Sequence, residues 1–255
     1  MEARKPGQGD IAFQANLYES ANPSRRWLHG VRRAWVMAAI QRYARRRGTR
    51  FLEVGIGCGI YTAEMAKLGP VLAIDINPEF VATVAGLENV EARVDDVTSL
   101  SLRPSYDVAV CSEVIEHLPE SQTALSNIAG ALRPGGVLIL TTPHAFSTAE
   151  LFARLLVFPL VRGLVRKLYA EHVEDLGHIN RLTRTALLNQ IQNAGFEVLE
   201  QHDCGLYLPG VAEFGGTVGR DLARWLEGGL RHLIVVRELL WTQCYVLRKK
   251  QASDA

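Results

Sequence analysis

At 255 residues and a net charge of +1, the chain has room for one α/β domain with insertions and carries no global bias toward nucleic acid. Its four cysteines, Cys58, Cys111, Cys204 and Cys244, are scattered and form no metal-type pair, so a reduced, cytoplasmic protein is expected. The start of the chain lacks the apolar core of a signal peptide, and no apolar run approaches the ~20 residues needed to span a bilayer.

Residues 23–50 contain no acidic residue. Within them Trp27, Val31, Trp35, Ala38 and Ala39 recur at helical spacing, which predicts one amphipathic basic helix over about residues 23–48. Arg25, Arg26, Arg32, Arg33, Arg42, Arg45, Arg46 and Arg47 then cover its remaining surface. From Phe51 the pattern alternates. Strands are predicted at 50–54, 71–76, 90–94, 107–112 and 137–142, with helices at 61–68, 79–85 and 122–132 between most of them. Such alternation indicates a parallel sheet covered on both faces. An apolar and basic insertion follows at 149–169, broken by Pro159, within a lid region spanning about 145–180. A helix at 184–194 is capped by Gly195 and leads into a strand at 196–201. A second insertion over 206–240 has helical periodicity around Leu222, Trp225, Leu226 and Leu230, and a last strand occupies 241–248.

The chemistry concentrates in turns after the predicted strands. Phe51-Leu52-Glu53-Val54-Gly55-Ile56-Gly57-Cys58-Gly59 runs a buried strand into three glycines at alternate positions, where backbone N–H groups can approach a ligand closely. The spacing is not the G-x-G-x-x-G of pyrophosphate-binding folds, because Ile60 occupies the third glycine's place. Asp75 lies about twenty residues on, at the end of the second strand, where ribose hydroxyls are usually held. Asp95 and Asp96 follow the third strand, and Arg133-Pro134-Gly135-Gly136 turns the chain into the fifth.

In this order the features resemble the class I S-adenosylmethionine-dependent methyltransferases, from about residue 51 to 196 together with the closing strand. The resemblance implies a Rossmann-like, doubly wound sheet of seven strands, mostly parallel with the last antiparallel, and helical lid insertions in a single domain. It implies that Glu53, Gly55, Gly57 and Gly59 form the cofactor turn. Asp75 with Ile76 would hold the ribose and Asp96, or else Asp95, with Val97 the adenine, while Ser112 and Glu113 stand beside the methionine moiety.

Ser112-Glu113-Val114-Ile115-Glu116-His117-Leu118-Pro119 follows the fourth strand, at the crevice edge of an open α/β sheet. Displacement at a sulfonium methyl by a hydroxyl needs a group to take the proton. His117 is a candidate general base, since imidazole ordinarily titrates near ~6.5. Glu116 and His144 are further catalytic candidates. Glu113, Glu116 and His117, joined by His178, could also hold Mg or another divalent cation. The E-x-x-E-H turn is similar to that of the ubiquinone-pathway O-methyltransferases, and two glutamates with two histidines also resemble the metal set of small-RNA 2′-O-methyltransferases. The plain alternative is that the acid contacts cofactor and the histidine caps a helix. His29, His202 and His232 read as structural.

The apolar run over 151–161 is expected to cap a hydrophobic acceptor or dock on a membrane surface, with Arg154, Arg162, Arg166 and Lys167 toward headgroups, or to pack against the second insertion. The leading expectation is O-methylation of a small, fairly hydrophobic hydroxylated acceptor such as a phenol, quinone precursor, lipid or secondary metabolite. An RNA 2′-O- or glycan methyltransferase, a C- or N-methyltransferase of a small metabolite, and a non-catalytic cofactor-binding subunit are the alternatives. Nucleic acid is disfavoured by the charge balance, and no oligomeric state is implied.

Overall fold

In a computed structural model, residues 16, 18–44, 48–155, 179–230 and 232–251 are described. Residues 156–178 of the expected lid region, with Pro159, Arg162, Arg166, Lys167 and His178, lie outside them, as do Arg45, Arg46 and Arg47.

Seven strands form one sheet: β1 Phe51–Val54, β2 Val71–Asp75, β3 Val90–Val94, β4 Tyr106–Ser112, β5 Leu132–Pro143, β6 Phe196–Cys204 and β7 Thr242–Lys249. Their spatial order is β3-β2-β1-β4-β5-β7-β6. The pairs from β3 through β5 are parallel, and β7 runs antiparallel to both β5 and β6. Among the described residues the helices are α1 Pro23–Tyr43, α2 Ile60–Ala66, α3 Pro78–Val84, α4 Ser121–Ala131, α5 Thr148–Leu155, α6 Arg184–Asn193, α7 Val211–Phe214, α8 Gly216–Leu230 and α9 Ile234–Arg237.

Alternation along the strands feeds two cores, because successive side chains leave a strand on opposite faces. Leu52, Val54, Ala109 and Cys111 pack with Leu125 and Ile128 of α4 and with Leu187 and Ile191 of α6. Phe51, Val108 and Val110 pack on the other face with Val36 and Ile40 of α1, Met65 of α2 and Val81 of α3. The sheet is therefore wound on both faces. Beginning at β1, the chain builds outward to β3 and then returns to lay β4 on β1's free side. The switch point, where such sheets bind ligands, lies beyond the carboxyl ends of β1 and β4.

Two expectations are corrected. The buried stripe of α1 is Leu28, Arg32, Val36, Ala39 and Ile40, rotated from the expected Trp27–Val31–Trp35 face, and it takes Arg32 inside with it. β5 begins at Leu132, so the expected Arg133-Pro134-Gly135-Gly136 turn belongs to the strand, which pairs Leu132 with Tyr106 before its register shifts. The second insertion is helical as expected, forming α7, α8 and α9.

Candidate active site

β1 ends in a turn whose glycines, Gly55, Gly57 and Gly59, adopt φ of 81, 54 and 74°. A Cβ on Gly55 would lie 2.3 Å from Val114 Cγ2, and one on Gly59 would lie 2.6 Å from Val84 Cγ1. Both the left-handed backbone and the absent side chain are needed there, so the turn can close against the end of β4 on one side and α3 on the other. Asp75, ending β2, accepts hydrogen bonds from the N–H groups of Ile56 at 2.8 Å, Gly57 at 3.4 Å and Asn77 at 2.8 Å. The carboxylate and the glycine turn are thus one unit. Beside it Ile76 is 72% exposed at the rim. Past β3, Asp96 accepts from both the N–H and the hydroxyl of Thr98 at 2.8 Å, while Val97 is buried in the core.

Glu53 stands beneath the turn. It is buried in the middle of β1 and accepts from the Thr62 hydroxyl of α2. Burial pushes its carboxyl up to about 8, with the Asp75 charge adding in the same direction, so it is neutral below that pH. Its Oε1 has no hydrogen-bond partner among the described residues.

The end of β4 is held from α1. Glu113 adopts φ 57°, one of two described non-glycine residues with positive φ, which is strained backbone at the crevice edge. Its Oε2 accepts from Arg32 Nη1 at 2.8 Å and its Oε1 from the Thr141 hydroxyl at 3.0 Å. Ser112 and Thr141 share a 2.8 Å hydroxyl–hydroxyl bond. Arg32 is buried; desolvation opposes its charge, but the facing Glu113 carboxylate holds it above the ordinary arginine range. The guanidinium also lies 5.3 Å over the Trp241 ring, and its Nε has no hydrogen-bond partner among the described residues. His29 packs edge-on to Trp241 at 4.9 Å and is pushed down to about 3, first by burial and then by Arg32 and Arg25. Sequence reasoning had put Arg32 on the solvent face. The missed signal is the i, i+4 run Leu28–Arg32–Val36–Ile40, an apolar stripe interrupted by one cation.

The acid–histidine turn is a short 3-10 segment, Ile115–His117. His117 is exposed at its end. Glu116 is buried, accepts from the Thr142 hydroxyl at 3.0 Å, and leaves Oε1 without a partner among the described residues. Burial first, then the Glu113 charge, pushes its carboxyl well above the usual range. Its backbone carbonyl accepts from the N–H groups of Ile179 at 3.1 Å and Asn180 at 2.9 Å, so the chain just beyond residue 178 meets this turn. A shallow surface depression adjoins it, lined by Glu116, Pro143, Ala145, Glu150, Asn180 and Arg181.

His144 does not open onto the crevice as expected. It is fully buried, accepts from the Phe146 N–H at 3.1 Å and faces Glu238 at 2.6 Å. Glu238 in turn pairs with Arg184, and Arg184 and Arg237 pair with Asp203. Desolvation lowers the imidazole's pKa in spite of Glu238, so His144 is a neutral joint in a network tying β5, β6, α6 and α9 together. Of the expected metal set, Glu113 is engaged by Arg32, Glu116 is inside, His117 is outside, and His178 lies beyond the described residues. Among the described residues no three His, Cys, Asp or Glu side chains are grouped to hold a metal ion.

A family model described as "Methyltransferase domain" matches residues 25–201. The ubiquinone biosynthesis O-methyltransferase of Xanthomonas axonopodis pv. citri is 32% identical over 214 residues, covering 78% of this chain and 83% of that one. The protein of the same name from Xanthomonas oryzae pv. oryzae is 36% identical over 168 residues, covering 60% and 69%. In fold, the chain is similar to an S-adenosylmethionine-dependent methyltransferase from Mesorhizobium loti (TM-score 0.56, 18% identity, 84% and 95% covered). It is also similar to the N-methyltransferase NodS from Bradyrhizobium japonicum (TM-score 0.57, 14% identity, 96% of each chain covered). The glycine turn, left-handed at three positions and bonded through its amides to the Asp75 carboxylate at the switch point of the sheet, fits a nucleoside cofactor. The chain belongs to the class I S-adenosylmethionine-dependent methyltransferases.

Proposed function

We propose that the protein transfers a methyl group to the hydroxyl of a small, fairly hydrophobic acceptor, a phenol or quinone precursor in the first instance. The observation that carries this reading is the similarity to an O-methyltransferase of ubiquinone biosynthesis over 78% of this chain and 83% of that one. S-adenosylmethionine, when bound, supplies an electrophilic methyl on a sulfonium. Asp75 and the Gly55–Gly59 turn would hold its ribose, Asp96 its adenine, and Glu113 with the spare Nε of Arg32 its amino-acid end.

The chain's own residues then divide the work. Exposed His117, at the end of the acid–histidine turn, takes the proton that the acceptor hydroxyl gives up. Burial and the nearby Glu113 charge favour the protonated form of Glu116, which supports the turn through Thr142. Arg32 neutralises Glu113, which keeps the end of β4 in its left-handed conformation.

Turnover of a phenolic acceptor, measured with and without a chelator, tests both parts. His117→Ala should lower kcat by about 10²-fold or more while cofactor affinity by calorimetry stays the same. Unchanged kcat rejects the base, and full turnover after chelation rejects a catalytic cation.

A further inference from the structure

The two edges of the sheet are finished differently. At one of them β6 is blunted. Its register with β7 shifts between Val198 and Glu200, and Glu200 is bonded by Arg42 and Tyr43 of α1, which packs on the strand. A bulge and a covering helix are common ways to keep an edge from taking on another strand. β3, at the other edge, has neither. It pairs with β2 in unbroken register from Val90 to Val94 and packs on α3, and no described strand lies on its outer side.

The pairing with β2 decides which backbone groups of β3 point outward. The Asn89 carbonyl accepts from the Val71 N–H, and the Asp95 N–H donates to the Asp75 carbonyl. Residues 89, 91, 93 and 95 therefore bond inward, and the N–H and C=O groups of Ala92 and Val94 face away from the sheet. The side chains carry a matching pattern. Val90, Ala92 and Val94 line one face of the strand, and Glu91 and Arg93 the other. Val-Glu-Ala-Arg-Val thus has the same apolar and charged order in both directions, with the two charges exchanged.

A second copy can be laid antiparallel on this edge with Ala92 on the two-fold axis. Ala92 then faces Ala92, Val90 faces Val94, and Glu91 of each copy faces Arg93 of the other. The two alanines exchange a pair of N–H to C=O bonds, because both of their backbone groups already point outward. The Glu91 and Arg93 pairs fall at the positions without backbone bonds, where opposed side chains approach most closely. The groups needed are available. Val94 is 54% exposed, and Glu91 is exposed with no ion pair among the described residues. Arg93 reaches Asp95 through Nη2 at 3.0 Å, and its buried Nε has no hydrogen-bond partner among the described residues.

We propose that β3 is a self-complementary edge through which two copies of this chain pair, antiparallel and two-fold symmetric, into one continuous sheet. The charge order selects a second copy, since only a strand meeting itself needs each charge to find its opposite under a two-fold axis. The carboxyl ends of the paired β3 strands point in opposite directions, so the two glycine cradles open at opposite ends of the joined sheet. A strand of 5 residues is about 17 Å long and covers less than a standard interface, so the pairing depends on concentration.

Sedimentation of the intact chain from about 1 to about 300 µM tests this. The wild type should pass from monomer to dimer across that range. Glu91→Arg and Arg93→Glu, each alone, set like charges in both cross-strand pairs and should weaken pairing at least about tenfold. Mixed in equal amounts, these two variants should pair with each other about as well as the wild type does with itself. The double variant Glu91→Arg/Arg93→Glu should also regain the dimer. Ala92→Pro removes an outward N–H and no bond to β2, so it should abolish pairing while circular dichroism stays that of the wild type. A wild type that is monomeric throughout overturns the proposal, whether the edge then serves another protein's strand or none. Single variants that dimerise like the wild type overturn it, as does a mixture of the two that stays monomeric. The outward ridge of α8, where Val218 and Trp225 are 77 and 73% exposed, is a second surface on which copies could meet. A dimer that Trp225→Ser splits, and that the charge variants leave intact, assigns pairing to that ridge and rejects β3. None of these outcomes depends on which acceptor is methylated.

Discussion

The glycine cradle and the helical cap are built by different means. The cradle, at the ends of β1 and β2, is made of backbone: left-handed glycines, strand ends and one carboxylate bonded to two turn amides. The cap, made of α1, α7 and α8, is made of side chains meeting across long stretches of sequence, such as Arg32 with Glu113 and Arg25 with Glu213. Backbone geometry serves whatever ligand every member of a family shares. Side-chain assembly is where one member can differ from another. Cofactor and acceptor should accordingly be separable by mutation, and Arg32, at the joint between the regions, should be the exception.

Arg32→Ala should have the largest effect, because it leaves Glu113 as a half-buried carboxylate without its cation. A loss of about 3 kcal/mol in unfolding free energy is expected, together with weakened cofactor binding. Arg32→Lys should recover part of the stability. If Arg32→Ala melts like wild type, cradle and cap are not joined here.

Within the cradle, Asp75→Ala removes the acceptor for the Ile56 and Asn77 N–H groups and should cost about 2 kcal/mol in cofactor affinity, read by calorimetry. Acceptor KM should not move. Gly55→Ala adds a clash with Val114 to the strain of a left-handed alanine and should destabilise by about 2 kcal/mol. Gly195→Ala has the same φ of 81° but open space around its Cβ, so only the strain, about 1 kcal/mol, should appear. Equal losses at the two glycines would deny that Val114 closes the cradle.

A separate prediction is a pH slope. The Glu53 carboxyl, at about 8 when folded and 4.5 in its ordinary state, binds more proton in the folded protein between those values. Its contribution to stability is therefore largest at acid pH, falls as pH rises from about 4.5 to about 8, and levels off above. Glu116, shifted the same way, adds to the slope. Glu53→Gln should make the melting temperature less sensitive to pH across this window, and an unchanged slope would show that Glu53 is ionised in place.

The same division explains what the sequence made legible. Period-two runs of apolar residues and the glycines after Val54 are local signals, so the strands, their order in the chain and the Asp75 position could be read directly. Arg32 could not be placed inside, because its partner lies 81 residues away and nothing local distinguishes it from the arginines beside it. His144 was misplaced for the same reason: Glu238, Arg184 and Asp203 converge on it only after β6 and β7 have closed the sheet. The start of β5 was hidden by Pro134 and Gly135, which read as a turn although the strand absorbs them, Gly135 at φ 74°. The outward ridge of α8 had the periodicity of a core helix, and only packing against α1 and α7 showed which stripe faces in.

The most direct test of the functional proposal is where the methyl group goes. Protein supplied with S-adenosylmethionine labelled in its methyl carbon and a phenol bearing an alkyl chain should yield a product whose label, located by mass spectrometry and NMR, sits on the phenolic oxygen. Label on a ring carbon, or no transfer to any phenolic acceptor while the cofactor still binds, would contradict the account.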